Sequence, residues 1–102
     1  MRIIDETVLD QFRFAPKCEW CGRAPRRGVS LEPHHIHGRG FGGGSRLDVR
    51  INLAALCREC HQSHHDGHRP LRCDLQAVVA AREGRMQDDI MEEIYELMRR
   101  RR

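Results

Sequence analysis

Two Cys-x-x-Cys pairs, Cys18 with Cys21 and Cys57 with Cys60, stand on either side of a histidine-rich stretch. Four thiolates at this spacing can complete the tetrahedron that a structural zinc ion prefers, each pair reaching the ion from a short knuckle. All seven histidines fall between His34 and His68. His61 and His65 are four positions apart, so a helix presents both imidazoles on one face, where they can share a cation. His34, at the end of a preceding strand, can close a three-histidine face. Three protein ligands leave positions open for water or a phosphate oxygen, as a catalytic metal site requires. His35, next along an extended segment, points to the opposite side from His34 and is free to act on water. Two metal sites are therefore expected, one to hold the fold and one to do chemistry. Cys73 is left over, and a free, partly buried thiol without a role is expected there.

Other readings of these residues are weaker. Paired disulfides belong to oxidising compartments, but the N-terminus shows no charged segment followed by an apolar one. No apolar run is long enough for a membrane span, so a cytoplasmic protein of bacterial or phage origin is expected. Redox chemistry needs one Cys-x-x-Cys pair in a thioredoxin-like context, not two. Gly38, Gly40 and Gly43 satisfy the spacing G-x-G-x-x-G. No buried strand precedes them and no acid follows at the right distance, which argues against a dinucleotide loop.

The elements that position these groups can be read coarsely. Met1 to Ala15 is a lead-in, helix or extended arm, that Ile3, Ile4, Val8, Leu9, Phe12 and Phe14 could dress on one side. Val29 to Glu32 alternates apolar and polar residues as a short strand does, with Pro33 at its edge or end. A glycine-rich loop from Gly38 to Gly44 follows. Asn52 to Leu56 reads as a second strand, and Glu59 to about Asp66 as a short helix closed by Gly67. Pro70 marks the exit. Asp74 is the expected N-cap of a helix to about Arg82, and Gly84 separates it from a last helix, about Met86 to Arg100. In that helix Met86, Ile90, Met91, Ile94, Leu97 and Met98 form an apolar stripe, to be packed on the module or on another chain. The chain is expected to be one α+β domain over its 102 residues, with a core of about 16–70 and a helical extension of about 74–102.

Charge is unevenly distributed. From Arg23 to Arg58 there are seven arginines against two acids, Glu32 and Asp48, whereas from Leu71 onward seven arginines balance seven acids. The basic half is the half with the metal motifs. Arginine's planar fork suits phosphate, so a polyanionic substrate is expected.

With these residues in hand, the chain resembles the HNH endonuclease family, the ββα-metal nucleases with a four-cysteine zinc site. The likeness runs from Cys18 to about His65. It comprises His34-His35-Ile36, a glycine-bearing loop, Asn52-Leu53, and Leu56-Cys57-x-x-Cys60-His61 followed by His65. The resemblance implies a small ββα-metal finger and hydrolysis of DNA phosphodiester bonds, one strand per active site, leaving a 5′ phosphate and a 3′ hydroxyl. It gives His35 as general base and Asn52 as the residue that holds the loop and aims it. His34 and the His61/His65 pair, as one member or both, would bind the catalytic cation. Many relatives carry aspartate where this chain has His34. The expected cation is manganese (Mn2+) or magnesium (Mg2+), with nickel (Ni2+) or zinc (Zn2+) as alternatives suited to imidazole. Arg39, Arg46, Arg50 and His37 are the expected DNA contacts. His64, on another helix face, and His68, past Gly67, are expected at the surface. Double-stranded DNA is the expected partner, with weak sequence preference because no recognition element is visible. A homodimer through the last helix stays open, and so does a non-catalytic zinc-binding nucleic-acid module.

Aromatic residues make up 5% of the chain and charged residues 32%, so apolar burial alone gives marginal stability and metal must supply the rest. Stripping zinc with a chelator is therefore expected to unfold the central module; unchanged far-UV circular dichroism after demetallation would contradict this.

Overall fold

The computed structural model describes residues 2–38 and 46–99. It combines helices with a small antiparallel sheet, as the sequence predicts. In chain order the elements are β1 (Arg2–Ile3), α1 (Glu6–Arg13), β2 (Glu32–His35), β3 (Arg46–Leu47), a 3-10 turn (Arg50–Asn52), β4 (Leu53–Leu56), α2 (Arg58–His65), α3 (Arg72–Glu83) and α4 (Gln87–Arg99). β2 and β4 pair antiparallel, with His34 opposite Ala54 and His35 opposite Leu53. With α2 leaving directly from β4, these three elements are the expected ββα unit.

β4 is the centre of the molecule. Leu53, Ala54, Ala55 and Leu56 are all buried, because α1 and α3 as well as α2 pack against this strand. A strand covered on both faces reads as a continuous apolar run rather than an alternating one. Burial of a leucine of this kind contributes about 1.5–3 kcal/mol. Leu9 and Phe12 of α1, Leu75 and Val79 of α3, and Ile90 and Ile94 of α4 complete one core with Leu31, Leu47 and Ile51.

The lead-in is a helix. Asp5 caps α1 by accepting the Val8 N–H at 3.2 Å, the usual device for satisfying a free helix-end donor. Only part of its expected apolar side is used: Leu9 and Phe12 are buried, whereas Ile4 and Phe14 are exposed. β1, which the sequence reading missed, lies parallel to β3, and the Asp48 N–H donates to Ile3 O at 2.8 Å.

Several boundaries differ from the sequence expectation. The first sheet strand is Glu32–His35 rather than Val29–Glu32, and Pro33 lies within it, facing Ala55. Among the described residues β2 has one strand neighbour, so a residue without an N–H is tolerated there. α3 begins at Arg72, and Asp74 sits inside its first turn, its carboxylate accepting the Leu71 N–H at 2.8 Å. Gly84 ends α3 at φ 66°, a left-handed conformation that glycine adopts without strain. Cys73 is exposed rather than partly buried. Among the described residues no helix is long and apolar enough to cross a membrane.

The stripe on α4 packs into its own chain through Ile90 and Ile94, while Met86 at its start is exposed. Ile94→Ala is expected to lower stability by about 2–5 kcal/mol without changing the sedimentation coefficient of the folded protein. A stability loss under 1 kcal/mol, or a change of oligomeric state, would contradict this packing.

Candidate active site and metal centres

The two cysteine pairs meet. Cys18, Cys21, Cys57 and Cys60 place their Sγ atoms within 4.8 Å of one another, and Cys21 Sγ lies 3.8 Å from Cys57 Sγ. A zinc–sulfur bond of about 2.3 Å gives a tetrahedral sulfur–sulfur edge of about 3.8 Å, so these four donors fit a structural zinc. Backbone N–H groups shape the first pair. Burial works against the Cys18 thiolate, yet amides of Cys21, Cys57 and Trp20 outweigh it and bring its pKa down to about 7. Burial and the neighbouring Cys57 and Cys21 push the Cys60 thiol up. A dication relieves this crowding, since a coordinating thiol is deprotonated.

The first knuckle is docked on β4 by Glu19. Its N–H donates to Ala55 O at 2.8 Å, and its carboxylate accepts the Ala55 N–H at 2.9 Å. Arg82 of α3 completes the clasp, reaching both Glu19 oxygens and the carbonyls of Leu53 and Arg50.

The second cluster is built by β2 and α2. His34, His61 and His65 each offer a ring nitrogen within 4.8 Å of the others, and His34 Nδ1 is 3.2 Å from His61 Nε2. Metal–nitrogen bonds of about 2.0–2.1 Å put adjacent ligand nitrogens about 3 Å apart, so this set fits one cation. Burial, reinforced by the rings of His64, His61, His65 and His35, holds the His34 pKa at about 3, which keeps it in the neutral form a metal needs. His61 Nδ1 donates to Glu32 Oε1 at 2.7 Å. A carboxylate only accepts, so the proton is on Nδ1 and the Nε2 lone pair faces His34.

Strand alternation sends the His35 ring to the other side, as expected, where its Nε2 lies 2.7 Å from Asp48 Oδ1. Because β2 ends at this residue, His35 still borders the same open cleft as His34, His61, His65 and Arg46. Asp48 is buried and fully engaged: it also accepts from Arg46 Nε at 3.1 Å, from Arg46 Nη2 at 3.0 Å and from the Asp5 N–H at 2.8 Å. Burial would raise its pKa, but the bonds from Arg46, His35 and Asp5 outweigh that and lower it. As an ionised acceptor it fixes the His35 proton on Nε2 and leaves Nδ1 as the basic nitrogen.

Asn52 is wholly buried. Its side chain accepts the His37 N–H at 2.8 Å and donates to His37 O at 2.9 Å and Leu47 O at 3.1 Å, while its own carbonyl accepts the Ile36 N–H. It therefore ties together the two ends of the glycine-bearing segment, immediately beside His35.

The expected DNA contacts fare differently. His37 is 3% exposed, with its ring against Gln76, so the phosphate contact expected of it conflicts with its burial. Arg50 is committed to Gln11 and Glu83, clasping α1 to α3, and does not present its fork to the cleft. Arg46 borders the cleft but holds Asp48. Arg39, with most of the glycine run, lies outside the described residues. His64 is part-buried rather than exposed, its Nδ1 donating to Pro70 O at 2.7 Å. Asp48 and Glu32 are what the sequence reading missed. The available signal was that they are the two acids of the arginine-rich half.

No curated protein and no solved structure matches the chain. The HNH endonuclease family model matches residues 18–67, the stretch that holds both cysteine pairs, the histidine cluster, His35, Asp48 and Asn52. On that match, together with the ββα unit and the four-cysteine cluster inside it, residues 18–67 form a domain of the HNH endonuclease family.

Proposed function

We propose that the protein is a metal-dependent DNA endonuclease that hydrolyses one phosphodiester bond per active site and nicks duplex DNA. The observation that carries this reading is the pairing, in one cleft, of a three-histidine cluster with an imidazole oriented by a buried carboxylate. A module that only binds nucleic acid needs neither.

In this reading His35 is the general base. Asp48 holds the ring with Nδ1 unprotonated, and that nitrogen takes the proton from the attacking water. Asn52 keeps the strand end and the following segment in register, so that the base stays aimed at the cleft. His34, His61 and His65 hold the catalytic cation, while Cys18, Cys21, Cys57 and Cys60 hold the structural zinc. A divalent cation at the histidines supplies charge stabilisation for the phosphoryl oxygens and for the departing 3′ oxygen. Imidazole ligands favour manganese, nickel or zinc over magnesium there. Glu32, by fixing the His61 tautomer, raises the basicity of the ligand nitrogen.

Supercoiled plasmid incubated with the protein and magnesium, manganese, nickel or zinc is expected to become open circle before any linear form accumulates. His35→Ala is expected to slow this by about 10²–10⁴-fold, the usual share of a general base. Absence of cleavage with all four ions would overturn the reading in favour of a non-catalytic binding module.

The orienting role of Asp48 is tested separately. Asp48→Asn is expected to lower kcat by about 10–100-fold with KM for plasmid within about twofold of wild type; an unchanged kcat would remove Asp48 from the mechanism.

A further inference from the structure

With Arg46 on Asp48 and Arg50 on Gln11 and Glu83, two arginines of the basic half are turned to structural work. Others are not. Arg23, Arg26, Arg27 and Arg58 are exposed, and their side chains make no ion pair or hydrogen bond among the described residues. Arg23, Arg26 and Arg58 line a single concavity, floored by Leu31 and Cys57 and bordered by Glu59 as its acid. Three cations against one carboxylate leave it positive.

This surface is held in shape by its own backbone. The Cys18 N–H donates to Arg23 O at 2.9 Å, the Gly22 N–H to Cys18 O at 3.0 Å and the Val29 N–H to Arg26 O at 2.9 Å. Arg58 opens α2, directly after Cys57. All three arginines are thus displayed from the segments that the cysteine cluster clamps together, and little order has to be gained when a polyanion arrives.

Its position relative to the cleft follows from the elements. His65 lies seven residues beyond Arg58 on α2, about 10 Å along the axis at 1.5 Å per residue. His34 lies three residues beyond Leu31, again about 10 Å at 3.3 Å per residue of strand. Concavity and cleft therefore occupy opposite ends of the same two segments. At ~3.4 Å of duplex axis per nucleotide, the separation corresponds to about three nucleotide steps.

We infer that Arg23, Arg26 and Arg58 form the main contact with the DNA sugar–phosphate backbone, gripping a strand about three nucleotides from the bond placed over the histidines. The cysteine cluster then has a second task besides stability, which is to display this grip. The choice of DNA as the polyanion rests on the endonuclease reading; the arginine surface itself does not.

The test is fluorescence anisotropy of a labelled 20-base-pair duplex titrated with zinc-replete protein without added catalytic metal, over a range of salt concentrations. R23A/R26A/R58A is expected to raise Kd at least about tenfold and to reduce the slope of log Kobs against log salt by about 2–3, near 0.9 per lost contact. The single variants Arg26→Gln and Arg58→Gln should each reduce the slope by about 0.9. A charge-matched control from α3 and α4, R72A/R85A/R99A, should leave the slope unchanged. An unchanged slope in the knuckle variants, or an equal fall in the control, would overturn the inference. The endonuclease reading fails or stands separately: wild-type protein that binds through these arginines yet never nicks plasmid supports the grip and refutes the nuclease.

Discussion

The meeting of the four thiols is the constraint on which the rest depends. It joins a loop near the start of the chain to the point where β4 turns into α2. Once Cys57 and Cys60 are fixed, the first turn of α2 is fixed, and His61 and His65 follow at helical spacing. β2 is in turn registered against β4 residue by residue, which places His34 opposite the emerging helix. Local propensity cannot supply this geometry. α2 has eight residues and no buried residue of its own, far below the length at which a helix is stable alone. The knuckle, the Glu19–Arg82 clasp and the buried β4 supply what α2 lacks.

Around that frame the site is organised by charge. In a half of the chain dominated by arginine, each of the two acids holds an imidazole, Glu32 holding His61 and Asp48 holding His35. Asp48 illustrates the balance. Removing a carboxylate from water costs several kcal/mol, and burial alone would favour its neutral form. A bidentate arginine, an imidazole and a backbone amide more than offset that. The charged pair is thereby kept in a place where it can define which nitrogen of His35 carries the proton. The same carboxylate accepts the Asp5 N–H at the start of α1, so the lead-in helix and His35 share one anchor.

What could be read from the sequence was whatever is encoded by spacing. Cys-x-x-Cys twice, His61 with His65, and Asn52 at the head of an apolar run specify partners through fixed periodicities, and the ββα order follows from them. Boundaries were less legible where a residue's preference is conditional. Pro33 suggested the end of a strand, but on a strand with one neighbour it lies inside, and the strand starts three residues later. The long-range polar partners were not legible. Asp48 reaches His35 across 13 positions and Asp5 across 43, and no local pattern marks such a bond. The bond of Arg50 to Glu83 and the contact of His37 with Gln76 were not legible for the same reason, since both residue types suit phosphate and only the packing brings these partners to them. The β1–β3 pairing, two residues on each side, is too short to leave a periodic signal.

The central claim is that one small chain holds two separate metal ions, a closed sulfur site that shapes the fold and an open imidazole site in the cleft. Elemental analysis of zinc-loaded protein after removal of free metal tests it most directly. The account predicts two equivalents of zinc per wild-type chain, and one in a folded variant lacking His34, His61 and His65. A single equivalent in the wild type, or two in the variant, would contradict it.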